Sequence, residues 1–204
     1  MITKTRLIWI FVLSPFFGAV VLMLFVSKGF FGKLPTFDEL ESPKTNLATQ
    51  LFSDDGIVLG AYFYENRSNV TYEELPKNLI NALLATEDVR FKKHSGIDVR
   101  SLLRAVYGQA QGNKSSGGAS TITQQLAKML FTKKPSSGLE RVLQKLKEWV
   151  ISVRLERHYT KDEIITMYLN KFDWVNNAVG IKSASRVYFN KKPNDLKLEE
   201  SATL

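Results

Sequence analysis

The sequence contains no cysteine, so disulfides and thiolate metal sites are both excluded, while the compartment is left open. It has no internal repeat and no low-complexity tract beyond short Ser/Gly loops. The pattern Gly-x-x-x-x-Gly-Lys-Ser/Thr is missing, which excludes a P-loop. Acidic charge is in short supply. Against 28 Lys+Arg stand 20 Asp+Glu, and the net +8 favours an anionic partner without choosing among nucleic acid, an anionic membrane and a phosphorylated substrate. What is there is a chain of 204 residues, 44% hydrophobic and 24% charged, with room for roughly one or two domains and a buried core.

Charge is also absent from residues 7–26, LIWIFVLSPFFGAVVLMLFV, a run broken only by Ser14, Pro15 and Gly18. About twenty apolar residues are needed to cross a hydrocarbon core, so this run is expected to span a bilayer. No small-residue cleavage site follows it, which argues for an uncleaved anchor rather than a signal peptide. Lys4 and Arg6 precede the run, and Lys28 and Lys33 follow it. The expected orientation leaves residues 1–6 as a cytoplasmic tail and puts everything after Lys28 outside. Residues 27–46, with Pro35 and Pro43, read as a juxtamembrane linker.

Beyond the linker, two apolar stretches flank Asp54-Asp55-Gly56, a hairpin signal. The apolar period then changes from two to about three and a half, with Leu75, Leu79, Ala82 and Leu83 on one helical face. Further helices are expected over residues 98–110, over 121–131 with Ser120 as a cap, over 139–159, and over 161–172 behind a Thr160/Glu163 capping box. Ile164, Ile165, Tyr168 and Leu169 should be core. The last residues, DLKLEESATL, stop within an apparent helix, as a fragment of a longer chain would.

Three segments carry chemistry-bearing side chains. Glu87 ends an apolar helix, and Phe91 and His94 lie one and two turns further along the same face if that helix continues. Such a carboxylate suits a general base, or is simply a solvated helix end. In GGASTITQQLAK, residues 117–128, two glycines allow close backbone approach and Ser120 and Thr121 stand at a helix N-terminus, where N–H groups attract anions. Gln124 and Lys128 share a face suited to a sugar amide or a phosphate; the plainer reading is a flexible loop and a capped helix. In QKLKEW, Lys145, Lys147 and Glu148 crowd one and a half turns, and between residues 114 and 158 nine bases face three acids. That is a solvated basic helix, or a site for a charged leaving group.

The succession T-E-D-x-x-F-x-x-H-x-G-I-D, G-A-S-T-I-T-Q-Q-L-A-K, K-x-K-E, Y-L-N and G-I-K-S-A-S-R-x-Y-F resembles the peptidoglycan glycosyltransferase domain, glycosyltransferase family 51, of class A penicillin-binding proteins and monofunctional transglycosylases. The likeness runs from about Leu40 to the last residue. It implies a mainly α fold: a lysozyme-like helical domain over residues 47–204, C-terminally incomplete, with a small membrane-proximal β-hairpin, preceded by one transmembrane helix. It implies an enzyme of the cytoplasmic (inner) membrane, single-pass, with its catalytic domain on the periplasmic face. That enzyme polymerises lipid II into β-1,4 glycan strands with inversion and release of polyprenyl pyrophosphate.

Residue by residue, Glu87 matches the family's catalytic base and Glu148 its second carboxylate. Asp88, Phe91 and His94 belong to the motif of the base and would shape the site. Arg104 matches a basic position on the acceptor side, and Lys128, Lys145 and Lys147 match positions lining the donor pyrophosphate. Ser120, Thr121, Gln124 and Gln125 would contact sugar and phosphate oxygens. No cofactor is required; Glu148 would orient the neighbouring bases or a divalent cation, Mg or Mn. The implied partners are lipid II, the nascent glycan strand, the bilayer and other cell-wall synthesis proteins, with no nucleic acid.

The chain departs from the family at Gln144, where Arg-Lys-x-x-Glu is common, and at Met129, where Asn is frequent. Arg141, one turn earlier, is the candidate compensation. Ser-x-x-Lys, the acylation motif of the penicillin-binding transpeptidases, is absent from these residues, so a transpeptidase domain in the parent protein would follow residue 204. Two other readings are an anchored lysozyme-like hydrolase or lytic transglycosylase, which needs no pyrophosphate-binding set, and a non-catalytic basic membrane adaptor, supported by charge only.

Overall fold

The structure, a computed structural model, describes residues 4–36, 49–55, 58–62, 69–112, 118–132, 135–176 and 178–204. In chain order the elements are α1 (Lys4–Ser27), β1 (Thr49–Phe52), β2 (Val58–Tyr62), α2 (Lys77–Glu87), α3 (Val99–Ala110), α4 (Ile122–Phe131), α5 (Gly138–His158), α6 (Lys161–Lys171), α7 (Ile181–Phe189) and α8 (Leu198–Thr203). The described residues are mainly helical, as expected. β1 and β2 pair antiparallel, Thr49 opposite Tyr62 and Leu51 opposite Gly60, with a register slip between Leu51 and Phe52. Asp54 and Asp55 form the described part of the connecting turn; Gly56, half of the expected linker (37–46) and the bases Lys114, Lys133 and Lys134 lie outside the described residues.

Helix starts follow local hydrogen-bonding chemistry. Asp98 caps α3 by accepting from the backbone N–H groups of Arg100 and Ser101, and Ser137 caps α5 by accepting from Glu140. Thr160 and Glu163 form the expected capping box on α6. At α4 the cap is Thr121, which accepts from Gln124 N–H, and not Ser120 as the sequence suggested. α2 does not continue past Glu87. Asp88 leaves helical geometry at φ −157°, ψ 73°, and a 3-10 turn follows at Phe91–Lys93. Phe91 and His94 are therefore placed by a loop and not by a continuing helix face.

The core gathers Leu79, Phe91, Ile122, Leu126, Ile151, Leu155 and Ile181 with the four α6 residues expected there, Ile164, Ile165, Tyr168 and Leu169. α4 lies at its centre, packed on α5 and on α6, while α2 packs on α8. Asn170, near the end of α6, closes the core from one side. Its Oδ1 accepts from Val70 N–H and its Nδ2 donates to Val70 C=O, both at 2.9 Å. Replacing it by alanine strands two backbone groups, so Asn170→Ala is expected to cost about 2 kcal/mol. Thermal unfolding should show a fall of roughly 4–8 °C in Tm, and an unchanged Tm would refute the clamp.

The expected span at residues 7–26 falls on α1, which is 24 residues long. Many of its side chains lie outside the described residues, and among those described no helix is long and apolar enough to cross a membrane. Trp9, Phe11, Phe17 and Leu24 on it are exposed. Its C-terminal end is docked on α5: Val26 is 1% exposed, and Arg154 donates to Ser27 C=O at 3.3 Å and to Pro35 C=O at 3.2 Å.

Candidate active site

Three groups of polar side chains converge on the first turns of α4. In the first, Asp88, just past the end of α2, is buried and accepts from the Ile122 backbone N–H at 3.2 Å and from His94 Nε2 at 2.9 Å. An ionised carboxylate can only accept, so His94 donates through Nε2. The helix N-terminus that the sequence offered to a substrate anion is thus already filled by the chain's own carboxylate. Thr121 Oγ1 and Gln124 Nε2 both donate to Gly96 C=O, at 2.7 and 3.1 Å. These two buried side chains anchor α4 to the Gly96 loop, where the sequence had them touching sugar and phosphate. Asp98 supports that loop from the other end, accepting from Ser101 Oγ at 2.8 Å and pairing with Arg90 at 2.9 Å. Burial would raise its carboxyl, but the Ser101 and Arg90 contacts prevail and hold it below the usual carboxylate range.

The second group contains Glu87. Its carboxylate is exposed, and Oε2 accepts from Gln125 Nε2 at 2.7 Å. Gln125 Oε1 in turn accepts from the Tyr168 hydroxyl at 3.1 Å. An exposed carboxylate with one of its oxygens held by an N–H donor can receive a proton through the other.

The third group lies on α5. Glu148 is 3% exposed, and both its oxygens are engaged: Oε1 accepts from Gln144 Nε2 at 2.9 Å and Oε2 from Lys145 Nζ at 3.0 Å. Lys145 also donates to Ser120 Oγ at 2.8 Å, which gives Ser120 a different task from the expected cap. Gln144 Nε2 reaches Thr132 Oγ1 at 3.2 Å, and Thr132 donates to Lys128 C=O at 2.8 Å. The amide that stands in place of the family's arginine therefore contributes two hydrogen bonds and no charge. Its Oε1 is buried with no partner among the described residues.

The side chains of the remaining expected site residues make no hydrogen bond to these three groups among the described residues. Phe91 is 1% exposed, a core side chain under the Lys161 ammonium, which stands 4.2 Å from its ring centre; it presents no surface to a ligand. Arg104 is exposed on α3, Lys128 on α4 and Arg141 near the start of α5. Lys147 lies against the turn after α1, where a Cβ on Gly32 would meet its Nζ at 2.8 Å. Among the described residues no group of three or more His, Asp or Glu side chains is placed to hold a metal ion. Sequence reasoning missed Tyr168 as a polar participant, Thr132, and Gly96. The Y-L-N motif and the Gly in H-S-G-I-D were the signals available.

A family model described as transglycosylase matches residues 55–204. The chain is 40% identical over 157 residues to penicillin-binding protein 1F of Bacillus subtilis, covering 77% of this chain and 21% of that protein. It is 36% identical over 187 residues to penicillin-binding protein 1A of Neisseria flavescens, covering 92% of this chain and 23% of the relative. Against penicillin-binding protein 1A of Escherichia coli it is 36% identical over 172 residues, 84% of this chain and 20% of that protein. The chain thus spans about a fifth of the length of the curated relatives it matches.

Proposed function

The chain belongs to the transglycosylase family, and from that premise we propose that it is the glycosyltransferase part of a membrane-anchored protein that polymerises lipid II into β-1,4 glycan strands. One observation carries the reading. The six residues from Ser120 to Gln125 contact an exposed carboxylate, Glu87, at one end and the Lys145–Glu148 cluster at the other. A transfer with inversion needs these two things: a base at the attacking hydroxyl and cations at the departing pyrophosphate. Glu87 takes the proton from the acceptor sugar 4-hydroxyl as that oxygen attacks C1 of the donor. The C1–O bond to the polyprenyl pyrophosphate breaks, and Lys145, aided by Lys128 and Lys147, meets the charge that develops there. Arg104 serves the acceptor side. Asp88, His94, Thr121 and Gln124 fix the start of α4 between the two halves.

Glu148 orients Lys145. Both its oxygens are taken up by N–H donors, so its present surroundings do not fit a divalent cation, and no step here runs through one. The charge-free run at residues 7–26 on α1 supports an inner-membrane anchor with the domain, lysozyme-like and beginning near residue 47, on the periplasmic face. The hydrolase and adaptor readings gain no observation.

The test is glycan formation from labelled lipid II in detergent by the full-length protein. Polymer with release of polyprenyl pyrophosphate is the expected result; cleavage of finished glycan without polymerisation would replace this reading by a hydrolase. Glu148→Gln probes the leaving-group side. The new amide would place NH2 against the Gln144 NH2 or the Lys145 ammonium, donor against donor. Polymerisation is expected to slow about 10²-fold, and an initial rate equal to wild type would remove Glu148 from the site.

A further inference from the structure

We propose that Tyr168 is a positioning residue for the base: its hydroxyl locks the Gln125 side-chain amide in the one orientation that holds the Glu87 carboxylate. This rests on Glu87 being the base. The two ends of a glutamine amide have nearly the same shape and opposite hydrogen-bonding character. Flipped by 180°, Gln125 would turn its carbonyl oxygen on the Glu87 carboxylate, acceptor against acceptor. The orientation seen is the reverse, with Nε2 donating to Glu87 Oε2 at 2.7 Å and Oε1 accepting from Tyr168 at 3.1 Å. The three groups form a chain in which every donor faces an acceptor.

The position of the hydroxyl is set by the core. Tyr168 is 3% exposed, its ring centre lies 5.4 Å from that of Phe172, and the same helix is clamped to Val70 two residues further on by Asn170. Burial first, and the charge on Glu87 second, raise the phenol above its ordinary value. Tyr168 therefore keeps the proton that it donates to Gln125 Oε1. Glu87 itself is exposed, and its flexible side chain would otherwise sample several rotamers. With Oε2 tied, Oε1 is the oxygen left to face the acceptor hydroxyl. A base must stand within about 2.6–3.2 Å of the oxygen whose proton it removes, so loss of this orientation reduces turnover and not substrate affinity.

The experiment compares wild type, Tyr168→Phe, Gln125→Leu and the double variant in the full-length protein, with labelled lipid II as substrate. Tyr168→Phe is expected to lower kcat about tenfold, the equivalent of one neutral hydrogen bond, with KM near wild type and Tm lowered by no more than roughly 2–4 °C. In the Gln125→Leu background the same change should have no further effect, because the hydroxyl acts only through the amide. An unchanged kcat in Tyr168→Phe, or losses that multiply in the double variant, would overturn the relay. A readout independent of activity is the pair of Gln125 Nε2 proton resonances in 15N-labelled protein. They should be well separated and slow to exchange in wild type, and should converge and exchange faster in Tyr168→Phe. If both proteins give the same spectrum, the relay is wrong. A locked amide in a wild type that makes no polymer would overturn the glycosyltransferase reading while leaving the relay standing.

Discussion

Glu87→Gln is expected to lower kcat for polymerisation by about 10²- to 10⁴-fold, the range that a positioned base contributes. The substitution is close to isosteric. It removes the ability to accept a proton and keeps a carbonyl oxygen that can still accept from Gln125 Nε2, the partner that Glu87 Oε2 has at 2.7 Å. Because the side chain is exposed at the end of α2, the fold has little to lose, and Tm should stay within a degree or two of wild type, about the scale of a surface change. KM should move little, since the carboxylate is engaged mainly as the hydroxyl is deprotonated. Initial rates from labelled lipid II, measured beside a thermal melt, check all three statements. Equal polymerisation by the two proteins would remove Glu87 as the base, and a collapsed Tm would reassign its importance to stability.

The largest effect on stability is expected at Gly96. Its φ of +90° lies where side chains are strained, and a Cβ there would stand 2.8 Å from the carbonyl carbon and 2.9 Å from the carbonyl oxygen of Ser152 in α5. Those are backbone atoms of a 21-residue helix, so no rotamer change relieves the overlap. Dihedral strain and overpacking together put Gly96→Ala at about 3 kcal/mol or more, or roughly 6–12 °C in Tm for a chain of this size. The damage reaches the site, because the Gly96 carbonyl is the acceptor for both Thr121 and Gln124. Moving it shifts the start of α4, and with it Gln125 and Ser120. Gly138→Ala is the control: it sits in the first turn of α5 with open space around the added methyl. Its Tm should match or slightly exceed that of wild type. Two variants with the same loss would show that the contact with Ser152 has no special weight.

Much of the scaffold could be read before any coordinates. The Thr160/Glu163 box and the apolar positions of α6 are decided by neighbours three or four residues away, and they stand as expected. Errors began where a polar side chain had two suitors. Ser120 and Thr121 are equally good caps on paper; Thr121 takes the role, while Lys145 takes the Ser120 hydroxyl. Phe91 and His94 seemed to extend the face of α2, yet Asp88 turns the chain out of the helix to reach Ile122 N–H and His94. The ring of Tyr168 was legible as core, while its hydroxyl, meeting a partner 43 positions earlier, was not.

The sequence by itself determined most of the helices, the Thr160/Glu163 capping box and the order of the motifs that place the chain in its family, because these depend on periods and hydrogen bonds closed within a turn or two. Only the tertiary structure decided which polar residues are wired together. It assigned Asp88 to the helix end that looked open to a substrate, set Lys147 beside Gly32, and joined Tyr168 through Gln125 to Glu87. The hydrogen-bonded pairings among these span 34 residues for Ile122–Asp88, 38 for Gln125–Glu87 and 43 for Tyr168–Gln125. They follow from how α4 lies between its neighbours, and helix packing is a property of whole faces that no local window contains.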